Sequence, residues 1–142
     1  VVRVLDLSPG SGVLAIAGAK RLHARVVAGD IDPVAVEAAR GTARLNRAAS
    51  SITFVRAAGT TSRAIAAWAP YDLIFANILL GPLTRLAAPL SRLAAPGAHI
   101  VLSGLLPAHA NAALAIYRAQ GLVLERRIPL EGWVTLVMRR PS

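Results

Sequence analysis

The 142-residue sequence predicts an α/β protein with a doubly wound, mostly parallel seven-stranded sheet that ends in an antiparallel hairpin. Three observations carry that prediction. Apolar runs alternate with Ala-rich stretches at helical spacing through five successive βα repeats. Hydrophobic content is 55% and mean hydropathy +0.55, as a sheet buried on both faces requires. The first apolar run, Val4-Leu5-Asp6-Leu7, breaks into Ser8-Pro9-Gly10-Ser11-Gly12 and is followed by Val13-Leu14-Ala15-Ile16-Ala17. A strand, a tight small-residue turn and a helix in that order make the first βα unit of a nucleotide-binding sheet.

Taken in order, Val1–Leu7 reads as the first strand, Gly12–Leu22 as the first helix and Arg25–Asp30 as the second strand. Asp32-Pro33 supplies an N-cap acid and a proline at the first helical position, so the second helix runs from there through Val36, Ala39 and Ala43 to Asn46. Ile52–Arg56 is the third strand, and a weak helix covers about Arg63 to Trp68. Tyr71–Ala76 is the fourth strand, with Asn77 at its carboxyl end. Gly81-Pro82 opens a helix to about Leu93 that Pro89 ends or kinks. Pro96-Gly97 is the turn before the fifth strand, His99–Ser103. Pro107 starts a helix through Tyr117 that closes at Gln120-Gly121. Leu122–Ile128 and Trp133–Arg139 form a hairpin through Pro129-Leu130-Glu131-Gly132, giving the sheet an antiparallel edge strand.

The length fits one domain, residues 1–142, without a linker, repeat or low-complexity tract. With no cysteine, the chain has neither a disulfide framework nor a thiolate metal site, which suits the cytoplasm. No charged-then-apolar leader opens the sequence. The uncharged span from Ala98 to Tyr117 is divided by Ser103, Gly104, Pro107 and Asn111 into strand, turn and helix, so no membrane span is expected. The net charge of +9 raises the question of nucleic acid. The arginines are scattered and interleaved with no aromatic platform, so general arginine enrichment is favoured over a nucleic-acid face.

Asp30 ends the second strand eighteen residues after Gly12. Roughly 20 residues is the spacing at which a strand-end carboxylate reaches ribose hydroxyls, which points to an adenosine-containing ligand. Asp32 is occupied as a cap, leaving Asp30 as the ribose ligand. The glycine pattern is Asp6-x-Ser8-x-Gly10-x-Gly12, without the third glycine of a dinucleotide fold and without a phosphate loop. It resembles the Acid-x-Gly-x-Gly-x-Gly turn of class I S-adenosylmethionine-dependent methyltransferases, departing at Ser8, where that pattern has its first glycine. Pro9 confines Ser8 to extended conformations, so a left-handed first position is costly in this loop.

The phrase Ala76-Asn77-Ile78-Leu79-Leu80-Gly81-Pro82-Leu83 is more specific. Together with Gly29-Asp30-Ile31-Asp32-Pro33, Ser103-Gly104-Leu105-Leu106 and Glu131-Gly132-Trp133, it resembles the catalytic domain of the ribosomal protein L-eleven methyltransferase family, over essentially the whole chain. The resemblance implies transfer of methyl groups from S-adenosylmethionine to lysine side chains and the N-terminal amine of a ribosomal protein. It places cofactor contacts on Ser8, Asp30 and Asn77, beside the Asp6, Gly10 and Gly12 of the loop pattern. It also implies a separate front domain for substrate recognition, outside these 142 residues, so the expectation is a catalytic fragment.

Asn77 is the candidate catalytic residue, because its side-chain carbonyl can orient an amine without strongly stabilising the charged form. The alternative is a turn residue bonded to backbone. Trp133 suits either the substrate mouth or the core. His99 and His109 have no carboxylate at ligand spacing and read as structural, and no metal site is expected. Ser11 lacks a hydrolase elbow. Two other readings stay open: a related methyltransferase acting on RNA, protein glutamine or a small molecule, and a fold that has lost catalysis. The absence of Asn-Pro-Pro-[Tyr/Phe] after the fourth strand argues against the first of these in its commonest form.

Overall fold

The computed structural model describes residues 2–7, 19–30, 33–56, 60 and 62–142. Its strands are β1 (Arg3–Leu7), β2 (Arg25–Asp30), β3 (Ile52–Arg56), β4 (Tyr71–Ala76), β5 (Ala94–Leu105), β6 (Val123–Leu130) and β7 (Trp133–Arg139). They form one sheet in the order β3-β2-β1-β4-β5-β7-β6. The first five strands are parallel, and β7 runs antiparallel to both β5 and β6. The doubly wound sheet with a terminal hairpin is therefore present. β7 lies between β5 and β6, so the edge strand is β6, which pairs antiparallel with β7.

Residues 19–22 are helical, and the helices after them are α1 (Pro33–Leu45), α2 (Arg63–Ala67), α3 (Leu80–Arg85), α4 (Ala87–Leu93) and α5 (Pro107–Ala119). Successive strand residues point to opposite faces, which splits the core in two. Val4, Val26, Ala28 and Phe54 pack on one face against Val36, Ala39 and Ala43 of α1. Those three helix positions are the ones the helical spacing singles out. Leu5, Val27, Ile74, Ile100 and Leu136 pack on the other face against Leu83, Leu90 and Tyr117. Two buried tyrosines brace this second layer. Tyr117 Oη donates to the Leu83 carbonyl at 2.8 Å, and Tyr71 Oη donates to the Ile65 carbonyl at 2.6 Å.

Several elements differ from the sequence reading. Pro129 and Leu130 belong to β6, which leaves Glu131-Gly132 alone as the hairpin turn, and β5 continues past Ser103 to Leu105. The helix expected from Gly81 to Leu93 is two helices, and they meet at Leu86 rather than at Pro89. Pro89 has no N–H for the Arg85 carbonyl and its ring crowds that group, so the break falls one turn upstream. Pro89 then sits in the first turn of α4, where an N–H is dispensable. The fifth strand begins at Ala94, not His99. Its pairing with β4 jumps from Tyr71↔Ala94 to Leu73↔His99, so Ala95–Ala98 loop out of register. Gly97 supplies the left-handed φ of +81° there, and its N–H donates to the Arg140 carbonyl at 2.8 Å. The expected Pro96-Gly97 turn exists as an excursion within one long strand.

Candidate functional site

The strand order reverses between β1 and β4, which opens a crevice outside the carboxyl ends of the parallel strands. The register shows which residues rim it. Leu7 is level with Gly29 on β2 and with Ala76 on β4, and Ala76 is level with Leu102 on β5. The next residue along each strand makes the rim: Asp30, Asn77 and Ser103. Asp30 and Asn77 thus flank the end of β1 from its two neighbours, about 10 Å apart at two strand spacings. The sequence reading of Asp30 and Asn77 as strand-end residues holds for both backbones.

Asn77 leaves the strand with its N–H 3.5 Å from the Leu7 carbonyl, so the ends of β4 and β1 are tied together. Its side chain is exposed and reaches over the end of β5. A Cβ built on Gly104 would collide with Asn77 Oδ1 and lie 3.5 Å from Asn77 Cγ. Gly104 itself has a φ of +73°. Asp6 lies deeper, level with Ala28 and Phe75 and fully buried. The expected contacts Ser8, Gly10 and Gly12, and the cap Asp32, lie outside the described residues, as does Ser11. Asp30 is described through its backbone, paired with Arg56.

Exposed apolar side chains stand around the β4, β5 and hairpin sector of this rim: Leu79, Leu106, Leu130 and Trp133. Trp133 is 54% exposed, which removes it from the core and favours the mouth of the crevice.

The histidines divide. His109 is exposed on α5. His99 does have a carboxylate partner, against the sequence expectation: its Nε2 lies 2.7 Å from Glu125 Oε2, and Arg139 Nε donates to Glu125 Oε1 at 3.0 Å. Glu125 sits where the β6–β7 register shifts between Leu124 and Arg126. That bulge brings it across β7 to a residue 26 positions away, which no sequence spacing shows. Among the described residues no group of three or more His, Cys, Asp or Glu is placed to hold a metal.

Many of the arginines have intramolecular duties. Arg25 stacks over the Trp68 ring at 5.0 Å and donates to the Ser50 carbonyl at 2.6 Å. Arg3 donates to the Trp68 carbonyl at 3.3 Å, Arg40 to the Phe54 carbonyl at 3.3 Å and Arg127 to Asn111 Oδ1 at 2.8 Å. A depression of about 380 Å³ lined by Arg40, Arg44, Ile52, Thr53 and Phe54 opens beside β3, away from the strands' carboxyl ends. No helix among the described residues is long and apolar enough to cross a membrane.

Comparison with known proteins agrees with this architecture. A ribosomal protein L11 methyltransferase of Bradyrhizobium diazoefficiens is 49% identical over 137 residues, covering 96% of this chain and 46% of that protein. The chain spans about half the length of the curated relatives it matches. The crystal structure of the ribosomal protein L11 methylase from Lactobacillus delbrueckii subsp. bulgaricus superposes with a TM-score of 0.88 at 26% identity, over 99% of this chain and 70% of that one. An RNA methyltransferase from Salinibacter ruber, in complex with S-adenosyl-L-homocysteine, shares the fold with a TM-score of 0.77 at 21% identity, over 99% of this chain and 82% of that one. The family model for ribosomal protein L11 methyltransferase matches residues 2–141. Matched by that model over nearly its whole length and 49% identical to a curated relative, this chain belongs to the ribosomal protein L11 methyltransferase family.

Proposed function

We propose that the chain is the cofactor-binding and methyl-transferring unit of a protein methyltransferase whose substrate is ribosomal protein L11. The observation that carries the reading is the placement of Asp30 and Asn77 on either side of the β1 end, at the reversal of strand order. S-adenosylmethionine fits the residues present. A carboxylate at the end of β2 suits a ribose diol. The space left by the missing Cβ of Gly104 is taken up by the Asn77 amide, which holds a polar group at the crevice. When bound, S-adenosylmethionine supplies an electrophilic methyl group on a sulfonium.

The chain's own residues hold and orient. Asp30 would accept hydrogen bonds from ribose hydroxyls, and Asp6 with Ser8, Gly10 and Gly12 of the glycine pattern would contribute further cofactor contacts. Asn77 would contact the cofactor through its amide, and its Oδ1 would also accept a hydrogen bond from a substrate amine and fix the lone pair's direction. A lysine amine has a reference pKa of about 10.4, and a neutral acceptor such as an amide favours its protonated form less than a carboxylate does. Positioning two reactants in this way is worth several kcal/mol without further acid–base machinery. The exposed apolar rim at Leu79, Leu106 and Trp133 suits a protein segment better than a phosphate backbone.

Isothermal titration with S-adenosylmethionine and S-adenosylhomocysteine tests the cofactor half of the proposal. Transfer of a tritiated methyl group to purified ribosomal protein L11, with ribosomal RNA as the competing acceptor, tests the substrate half. Saturable cofactor binding and label on protein are expected. Label on RNA alone would move the substrate class, and absence of cofactor binding would overturn the reading.

A further inference from the structure

Gly104 combines three features that have no shared explanation in strand formation alone. Its backbone is left-handed, with φ +73°. It lies at a break in pairing, since β5 and β7 are matched at Leu102↔Leu136 and next at Leu105↔Val134, which leaves Ser103 and Gly104 opposite the single residue Thr135. And the position of its absent Cβ is filled by Asn77 Oδ1. A glycine in the left-handed region at a two-against-one position is a bulge of the kind that bends a strand and re-aims neighbouring groups. Here the neighbouring group is the amide of Asn77.

We infer that Gly104 is a positioning residue for Asn77: the bulge turns the end of β5 aside, and its bare Cα forms the surface on which the Asn77 amide rests. Asn77 is otherwise exposed, in the irregular stretch between β4 and α3, where a side chain has rotamer freedom. The N–H at 3.5 Å from the Leu7 carbonyl fixes its backbone, and Gly104 limits where the amide goes. Any side chain at 104 would push that amide off its place. This inference rests on the proposed role of Asn77 at the cofactor site.

A double-mutant cycle separates the two. The variants are Gly104→Ala, Asn77→Ala and the pair, in the whole chain. The readouts are S-adenosylmethionine affinity by calorimetry and thermal unfolding without ligand. Gly104→Ala should weaken cofactor binding about tenfold in the parent, the scale of one lost hydrogen bond. In the Asn77→Ala background, where the amide is gone, the same change should alter binding less than about twofold. The melting point should drop about 5 °C in the parent and about 2 °C beside Asn77→Ala, because left-handed strain persists while the collision is relieved. Equal losses in both backgrounds, including failure of both to fold, would show that Gly104 serves only its own backbone and would overturn the inference. If Asn77→Ala leaves affinity unchanged, the cofactor role of Asn77 fails and the functional part of this inference with it. Coupled melting points would then show a contact with no consequence for binding.

Discussion

The Asn77 N–H lies 3.5 Å from the Leu7 carbonyl, joining the first residue of the β4–α3 connection to the last residue of β1. The carboxyl ends of β1 and β4 are therefore tied to each other at the rim. On the far side of β1, Asp30 follows Gly29, which is level with the same Leu7. A ligand seated here would meet backbone that the ends of β2 and β4 hold at the spacing of the sheet.

The two acids of the Gly29–Pro33 segment have different places in the sequence. Asp30 belongs to the strand, and Asp32 precedes the proline that begins α1. Asp30→Ala should weaken S-adenosylmethionine binding by about 1.5–3 kcal/mol, the scale of hydrogen bonds to a charged group, with little change in melting point. Asp32→Ala should lower stability by about 1 kcal/mol through loss of a helix cap and leave affinity nearly intact. Calorimetry and thermal melts on both variants decide the matter, and exchanged effects would reverse the assignment.

Much of this was legible in the residues. The boundaries of β2, β3 and β4 coincide with the apolar runs because both faces of those strands are covered, so polarity changes where the strand ends. Asn77 stood out as the first polar residue after such a run. Gly104 did not, because its constraint comes from a side chain 27 residues earlier and from a pairing break with β7. A glycine directly after a strand-end serine was the available signal. The His99–Glu125 pair was invisible for the same reason: a bulge in β6 makes it. The start of β5 was missed because Pro96-Gly97 carries true turn chemistry inside a strand that resumes pairing on either side.

The buried tyrosines give the fold an alkaline limit. Burial raises the Tyr71 phenol from its ordinary 10 to about 12, with the Arg3 guanidinium lowering it somewhat, and burial raises Tyr117 as well. Below pH 10 both folded and unfolded chains keep these protons, and stability is independent of them. Between pH 10 and 12 the unfolded chain loses protons that the folded chain retains, so stability falls as pH rises, by on the order of 2 kcal/mol for Tyr71. Tyr71→Phe should cost about 1 kcal/mol at neutral pH, by losing the bond to the Ile65 carbonyl. It should also show a shallower decline above pH 10, with Tyr117 supplying the remainder. Chemical denaturation at stepped pH measures both; parallel curves for the two proteins would refute the assignment.

Glu125 links His99 and Arg139 across three adjacent strands, at the end of the sheet where the hairpin joins β5. The three side chains are between 35% and 41% exposed, so the Arg139–Glu125 ion pair and the His99–Glu125 hydrogen bond are screened by solvent and contribute modestly. Glu125→Gln should lower stability by less than about 1 kcal/mol at pH 6 in low salt, and the difference from the parent should shrink in 0.5 M salt. Salt-titrated melting curves check this. A loss that salt does not touch would mean that Glu125 acts through the bulge geometry of β6, not through charge.

At the hairpin tip a non-glycine residue holds left-handed backbone, as His23 and Arg47 also do. Glu131 and Gly132 join β6 to β7 as a two-residue turn, with φ of +51° and +83°. Two positive φ values in succession fit the turn whose twist agrees with the flanking strands, and Asn-Gly is its preferred sequence. Gly132 meets the requirement freely. Glu131 does not, since its Cβ crowds the backbone in the left-handed region and its long side chain offers no local hydrogen bond in return. Both flanking residues, Leu130 and Trp133, are exposed and contribute little packing to hold the turn closed. Glu131→Asn should therefore raise stability by about 0.5–1 kcal/mol, an increase of a few degrees in melting point. Glu131→Pro, whose ring fixes φ near −65°, should open the turn and lower the melting point instead. Thermal melts of the two variants give opposite signs if the turn has this geometry. A drop for both would show that the Glu131 side chain makes a contact worth more than the strain it carries.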